Sequence, residues 1–293
     1  MNEPLALCNS LVILMTCVIS FLVFRSRASE AKYIFHPESM LAGKQYYRLV
    51  TSGFLHADWP HLIWNMVSLY FFGNLVELLF GKLVFLVIYF GAIVGGNLLS
   101  LYVHRHHDYY AYGASGGVCG MIFAHILLLP GTGVFVYFIP IAVPGWLYAI
   151  IFLLGSFVAM KRGRDNVGHD AHLGGAIVGL LIAAALHPSA AMDNWKIFAS
   201  VLAISTALLA YLWINPLFLP SSAFRGGWLS SRERRPNTPN HRREQLEVDA
   251  ILDKVAKGGI HSLTAEERAL LDNVSGKYRR RAQSRKPDSE LRI

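Results

Sequence analysis

Long apolar runs recur along the chain, separated by polar, glycine-rich or proline-rich stretches. A helix needs about 20 apolar residues to cross a bilayer, and seven runs reach or approach that length. They cover residues 4–24, 61–80, 83–103, 114–130, 145–160, 171–188 and 195–214. The first run is too long for the core of a signal peptide and lacks a basic start, so we expect a retained anchor helix. The pattern predicts an all-α polytopic membrane protein.

Composition supports a membrane protein and argues against a soluble domain. Hydrophobic residues make up 54% of the 293 residues and charged residues 16%, against about 25% charged residues in typical globular domains. Residues 225–293 carry 16 Lys and Arg against 10 Asp and Glu, so most of the net charge of +8 lies in this tail. A basic tail beside a membrane is expected to contact anionic lipid. No nucleic-acid partner is expected, because no recognition motif accompanies the charge.

The composition changes after residue 215, where proline and glycine cluster and predict a linker over residues 216–243. Apolar positions near a 3.6-residue period follow it. Thr264 and Glu267 have the spacing of a capping box. These patterns predict a small helical hairpin over residues 244–275 and a disordered basic end over residues 276–293.

A serine flanked by glycines opens the fourth apolar run, in the segment GASGGVCG at residues 113–120. One interpretation is a small residue that lets membrane helices approach each other. However, the flanking glycines weaken the start of a helix. They suit a backbone that turns tightly and leaves one hydroxyl open, so Ser115 is a candidate nucleophile.

A histidine opens the sixth run. Ionisable residues inside spans are costly and are usually functional, although His172 could also bond to a neighbouring helix. His172 shares one helix face with Gly175 and Gly179, which would let a partner helix approach closely. If that partner is the Ser115 helix, the imidazole can reach the hydroxyl, and a serine needs such a base to act as a nucleophile. The Ser115 helix has small residues of its own at Gly116 and Gly120.

A second polar pair opens the second run. His61 and Asn65 are four residues apart, so they share a helix face. Their N–H groups are suitable donors for an oxyanion, although capping or bonding across helices would also explain them. Counting spans places this pair, Ser115 and His172 at the same side of the membrane.

These motifs together resemble those of the rhomboid intramembrane serine proteases. The matching segments are Tyr46-Tyr47-Arg48, His61 to Asn65, Gly113 to Gly116, and Ala171 to Gly179. The resemblance implies a six-helix core with Ser115 as nucleophile and His172 as general base, without a third carboxylate. It also implies an oxyanion hole formed by His61, Asn65 and the Ser115 backbone N–H. The glycines expected to support packing at the site are Gly113, Gly116, Gly120, Gly175 and Gly179.

The resemblance covers residues 40–190, which we expect to form the catalytic core. Residues 1–39 would hold the first helix and the start of the first loop, and residues 191–215 an additional seventh transmembrane helix. Many family members have an aromatic residue where this chain has Cys119, and a smaller side chain would hold the catalytic imidazole less firmly. Tyr47 replaces a frequent tryptophan and keeps an amphipathic ring.

Other polar residues near these motifs receive structural interpretations. Asp170 could orient a histidine as in a catalytic triad, but it would point off the His172 face. The histidines at residues 104, 106 and 107 are interpreted as part of a solvated interfacial loop, in preference to a metal site. We expect no metal and no organic cofactor.

The sequence therefore predicts a serine-type endopeptidase that cleaves transmembrane segments of other membrane proteins in the bilayer. The predicted location is the bacterial inner, or cytoplasmic, membrane. One alternative is a catalytically impaired rhomboid-like protein that binds such segments without cleaving them. A transporter is disfavoured, because it predicts charged residues buried deep in several spans, and Glu77, the one candidate for such a residue, lies near a span end. The resemblance places the Ser115 side outside the cytoplasm, whereas the distribution of Lys and Arg favours the opposite orientation.

Overall fold

The computed structural model describes residues 6–26, 30–105, 109–135, 142–162, 167–214, 254, 263–264 and 266–268. The chain divides into two compact units, Met1–Ser230 and Ser231–Ile293. The long helices and the candidate site lie in the first unit.

Seven long helices account for most of the described part of the first unit. They are α1 (Leu7–Arg25), α5 (Trp59–Phe80), α6 (Lys82–His104), α7 (Ser115–Leu128), α8 (Gly145–Arg162), α9 (His169–Leu186) and α11 (Trp195–Ile214). Among the described residues, five of these helices are long and apolar enough to cross a membrane, and α7 and α8 are shorter apolar helices. The prediction of an all-α polytopic fold with a seventh helix is confirmed.

Short elements fill the connections. The first loop folds into α2 (Glu30–Tyr33), α3 (Pro37–Leu41), α4 (Arg48–Thr51) and a 3-10 turn at Ser52–Phe54, and α10 (Pro188–Asp193) precedes α11. Two short strands, β1 (Val134–Phe135) and β2 (Ala142–Val143), pair in antiparallel fashion between α7 and α8.

Local sequence signals set the ends of α5. The Asp58 carboxylate accepts the His61 backbone N–H at 2.9 Å, and a proline occupies the first turn. Both features are typical of a helix N-terminus. Gly81 ends α5 with a φ of 94°, in the left-handed region that glycine adopts readily. This turn sends α6 back alongside α5.

The centre of the bundle is formed by α6, α7 and α9, which pack against one another. Every residue of α7 from Gly116 to Leu128 is buried, so this helix is enclosed by protein on all sides. Its 14 residues rise about 21 Å, less than the ~30 Å hydrocarbon core. At least one end of α7 therefore lies inside the apolar layer, where irregular backbone is tolerated only if protein or a water-filled cavity surrounds it.

The seventh helix runs the full depth of the bundle. At its start, the Asn194 side chain donates to the Leu127 carbonyl at 3.1 Å, near the end of α7. At its other end, Trp213 stacks on Tyr102, near the end of α6, with ring centroids 6.3 Å apart. The end of α11 therefore lies on the same side of the bundle as the start of α7.

The second unit contains the predicted capping box. Thr264 donates its backbone N–H to Glu267 Oε2 at 2.8 Å, and Glu267 donates its own to Thr264 Oγ1 at 3.2 Å. These reciprocal bonds satisfy two donors at the start of a helix. The predicted linker, most of the hairpin and the basic end lie outside the described residues.

Candidate active site

A glycine turn presents Ser115 at the start of α7. Gly113 has a φ of 131°, which strains any other residue. A Cβ built on Gly113 would lie 2.9 Å from His61 Nε2 and 3.6 Å from Ser115 Oγ. These two atoms are therefore no further apart than the sum of those distances. Gly113 lies in the turn before α7 and leaves space there for the His61 ring.

The first turn of α7 presents backbone N–H groups beside Ser115. The first hydrogen bond within α7 runs from the Val118 N–H to the Ala114 carbonyl at 3.0 Å. The Ser115 N–H therefore has no acceptor within its own helix, as is usual for the first turn. A helix N-terminus of this kind favours negative charge, which suits a developing oxyanion.

His61 and Asn65 lie on the first two turns of α5, and the His61 ring faces Gly113. The Asn65 side chain is buried and donates one amide hydrogen to the His61 carbonyl at 2.9 Å. An amide NH₂ has two hydrogens, so the second remains for another acceptor. The structure therefore gathers His61 and Ser115 around Gly113, with Asn65 one turn further along α5.

Helices α7 and α9 meet through backbone contact at their glycines. A Cβ on Gly175 would overlap the Gly116 carbonyl oxygen, and a Cβ on Gly179 would overlap the Gly120 backbone. A Cβ on Gly116 would lie 3.3 Å from the carbonyl oxygen of Ala171, which immediately precedes His172. The first turns of α7 and α9, which carry Ser115 and His172, therefore lie against each other.

An aromatic ring from α8 stands beside His172. The Phe152 ring lies 6.5 Å from the imidazole centroid, and it also contacts Phe123 of α7 at 5.4 Å. Cys119 itself is buried. The sequence shows only the missing aromatic residue on α7, and nothing in it indicates a ring supplied by a neighbouring helix.

Asp170 faces away from His172, as its position on the helix predicted. Its Oδ2 lies 3.2 Å from His104 Nε2, and both side chains are buried. His104 is the last residue of α6 and stacks on Tyr109 with centroids 3.6 Å apart. Burial, followed by the Asp170 charge, raises the pKa of Tyr109. The expectation of a solvated loop is therefore wrong for His104, because its imidazole joins α6 to α9.

The other two histidines of that predicted loop, residues 106 and 107, lie outside the described residues. Within the described ranges, no three His, Cys, Asp or Glu side chains gather where they could hold a metal ion.

Arg48 anchors the first loop from within. Its buried guanidinium donates to the carbonyls of Ala31 at 2.9 Å and Ile34 at 2.6 Å, and to Gln45 Oε1 at 2.8 Å. The Tyr47 hydroxyl donates to the Lys32 carbonyl at 3.1 Å. The tyrosine that replaces a frequent tryptophan thus takes part in holding the loop.

Sequence reasoning missed a buried histidine just before α5. His56 is 1% exposed, and its Nε2 lies 3.4 Å from the Ala114 backbone nitrogen. Burial, with a smaller contribution from the His61 charge, lowers the pKa of His56 to about 3. Its spacing of five residues from His61 was the available signal, but nothing in the local pattern indicates that the ring is buried.

Comparisons with known proteins agree with the resemblance described above. Residues 43–189 match the sequence model of the Rhomboid domain, and residues 237–277 match a family of unknown function, DUF6576. The chain is 33% identical over 150 residues to RHOMBOID-like protein 12, mitochondrial, of Arabidopsis thaliana, covering 44% of this chain and 43% of that protein.

Two relatives come from Bacillus subtilis. The putative rhomboid protease YdcA is 32% identical over 144 residues, covering 48% of this chain and 68% of that protein. The rhomboid protease GluP is 31% identical over 172 residues, covering 58% of this chain and 32% of that protein. The match thus spans less than half of the Arabidopsis protein and about a third of GluP.

Proposed function

Because the chain belongs to the rhomboid family, we propose that it is a serine-type intramembrane endopeptidase in which Ser115 is the nucleophile and His172 the general base. The contact between Gly116 and Gly175 carries this proposal. It sets the first turn of α7, which begins with the candidate nucleophile, against the first turn of α9, which holds the candidate base.

The proposed reaction is an acyl transfer to water. His172 takes the proton from Ser115 Oγ as the oxygen attacks the scissile carbonyl carbon. The C–N bond then breaks, and the leaving amine receives that proton from His172. His172 takes a proton from a water molecule, whose oxygen attacks the carbonyl carbon of the acyl-enzyme. The bond from that carbon to Ser115 Oγ then breaks, and His172 returns the proton to Oγ, which releases the carboxyl product and restores Ser115.

The negative oxygen formed in each half of the reaction would be held by three donors. These are the Ser115 backbone N–H, an amide hydrogen of Asn65 and a ring N–H of His61. Loss of one such donor typically lowers kcat by about 10²–10³-fold. The glycine at position 113 supports the proposal, because it lets His61 approach the nucleophile without a side chain between them.

The proposed substrates are transmembrane segments of other membrane proteins. A peptide bond within a helix is shielded by its own hydrogen bonds, so a cleavable segment must unwind near the site. The chain is a multi-pass integral membrane protein. We propose the bacterial cytoplasmic membrane as its location; two of the relatives come from Bacillus subtilis, whereas the Arabidopsis thaliana relative is mitochondrial.

The direct test is cleavage of a single-span substrate by the purified full-length chain in proteoliposomes. We expect Ser115→Ala and His172→Ala to abolish cleavage and to abolish covalent labelling by a fluorophosphonate probe. Ser200→Ala is the matched control, because Ser200 lies on α11 and donates to the Lys196 carbonyl. Cleavage by Ser115→Ala at the wild-type rate would refute the assignment of the nucleophile.

The same experiment addresses the non-cleaving alternative, for which Cys119 gives a specific reason. A wild-type chain that retains the substrate span on affinity beads, yet neither cleaves it nor reacts with the probe, would favour a binding protein. Cleavage that depends on Ser115 would exclude it.

A further inference from the structure

We propose that His56 is a positioning residue for the nucleophile: as a neutral imidazole with its proton on Nδ1, it accepts the Ala114 N–H and holds the turn that presents Ser115. Its effect on catalysis rests on the proposed function. The hydrogen-bond arrangement itself does not depend on that function.

The partners of His56 define which ring nitrogen carries the proton. A backbone N–H can only donate, so the contact of 3.4 Å from Ala114 N to His56 Nε2 requires an unprotonated Nε2. A neutral ring then carries its proton on Nδ1, which lies 3.0 Å from Ser20 Oγ. Ser20 donates its own hydroxyl hydrogen to the Phe54 carbonyl at 2.9 Å, so its oxygen is free to accept from His56.

These hydrogen bonds form a series in which every donor points the same way. It runs from the Ala114 N–H to His56, from His56 to Ser20, and from Ser20 to the Phe54 carbonyl. His56, Ser20 and Ala114 are each at most 1% exposed. Buried polar groups without a partner are costly, so each group in this hydrogen-bond series depends on its neighbour for a partner.

The hydrogen-bond series through His56 connects the first helix to the turn before Ser115. Ser20 lies on α1, His56 lies in the segment before α5, and Ala114 immediately precedes Ser115. The neighbouring Gly113 N–H is held by the Ser52 carbonyl at 3.1 Å. Both backbone N–H groups that precede the nucleophile are therefore held by the end of the first loop.

The same ring also bears on the proposed oxyanion donor. The His56 and His61 rings meet edge to face, with centroids 5.0 Å apart and an interplanar angle of 72°. A neutral His56 packs its ring against His61 without adding a buried charge to the site. Burial holds the pKa of His56 at about 3, so the ring stays neutral at ordinary pH.

Three substitutions separate positioning from simple space filling. His56→Gln keeps an acceptor that reaches the position of Nε2, His56→Asn keeps only a group near Nδ1, and His56→Leu keeps only volume. We expect His56→Gln to retain most of kcat. We expect His56→Asn and His56→Leu to lose about 100-fold in kcat with little change in KM, because a misplacement of 1 Å at a reacting group costs about that much.

Thermal unfolding of each variant is measured in parallel, and His187→Gln at the opposite end of α9 is the matched control. A purely structural role predicts that activity follows stability across the series. Equal kcat values for wild type, His56→Asn and His56→Leu, or losses that track unfolding temperature alone, would overturn the proposal.

A second readout does not depend on activity. Nitrogen-15 NMR of the histidine-labelled full chain, with the His56 signal identified by its loss in His56→Gln, reports the tautomer. We expect a protonated Nδ1 and an unprotonated Nε2 at neutral pH, and a shift of the Nδ1 signal in Ser20→Ala. An Nε2–H tautomer or a charged ring would overturn the inference even if the protease assignment held. Failure of the protease assignment would appear separately, as cleavage that survives Ser115→Ala.

Discussion

The contact between α7 and α9 predicts that Gly175→Ala will separate the proposed nucleophile from its base. A Cβ on Gly175 would overlap the Gly116 carbonyl oxygen, and it would lie 2.7 Å from the Gly116 carbonyl carbon. Carbon atoms in ordinary contact are about 3.5–4.0 Å apart. The obstructing atoms belong to backbone and cannot rotate away, so the helices must move apart by roughly 1 Å.

Two consequences of that movement can be measured. Overpacking of a core typically costs about 1–3 kcal/mol of stability, so the unfolding temperature should fall. A displacement of about 1 Å at the reacting groups should also lower kcat by about 100-fold. The assay is cleavage of a single-span substrate in proteoliposomes, at a temperature where circular dichroism shows that every variant is folded.

Two other glycines provide controls. A Cβ on Gly155, on α8, would meet no atom within 4 Å. Gly155→Ala should leave activity unchanged and stability equal or higher, because alanine favours a helix over glycine by about 0.5–1 kcal/mol. A Cβ on Gly174 would instead lie 2.9 Å from the Gly95 carbonyl oxygen of α6. Gly174→Ala should reduce stability with a smaller loss of kcat. The reasoning fails if Gly175→Ala is as active and as stable as Gly155→Ala.

Because Asp170 and His104 form a buried pair, Asp170→Asn should lower the free energy of unfolding by about 3 kcal/mol. Fluorophosphonate labelling of the folded variant should persist. A folded variant that fails to label would instead give Asp170 a role in orienting the base. Because the pKa of His56 is lowered to about 3, the unfolded chain, with an ordinary value near 6.5, binds a proton that the native ring does not. Stability should therefore fall as pH drops from about 6.5 towards 3, and thermal unfolding of His56→Gln should show a flatter dependence; identical curves would contradict a buried neutral ring. The helix order predicts that reporters fused after Phe24 and after Ala190 lie on opposite sides of the membrane. Phosphatase and fluorescent-protein fusions measure this, and finding both positions on the same side would contradict the number of spans.

The long helices could be predicted from the sequence because a span must satisfy its backbone internally and expose apolar side chains to lipid. The run at residues 195–214 coincides with the observed α11. The largest differences lie at helix ends. Hydropathy placed the start of the sixth span at residue 171, whereas α9 begins at His169. Asp170 is polar, but its contact with His104 lets it lie buried within the helix.

The motif residues of the candidate site could also be identified, since serine, histidine and asparagine at the mouths of apolar helices have few structural uses. The residues that support them could not be identified from the sequence. Phe152 is one of several aromatic residues on an apolar helix, and only the packing of α8 brings it to His172. The loop sequence around His56 is equally compatible with a solvated histidine. Only the fold buries its ring, between α1 and the turn before Ser115.

Local chemistry along this chain was enough to predict the long apolar helices, the helix ends that carry the candidate catalytic residues, and the glycines that leave room for a neighbouring helix. These properties depend on each residue and its near neighbours. Only the tertiary structure decided which glycine faces which helix, that Asp170 contacts His104, and that His56 is buried beside the turn before Ser115. Such pairings join residues far apart in sequence, and they are settled by the simultaneous packing of all the helices rather than by any one of them.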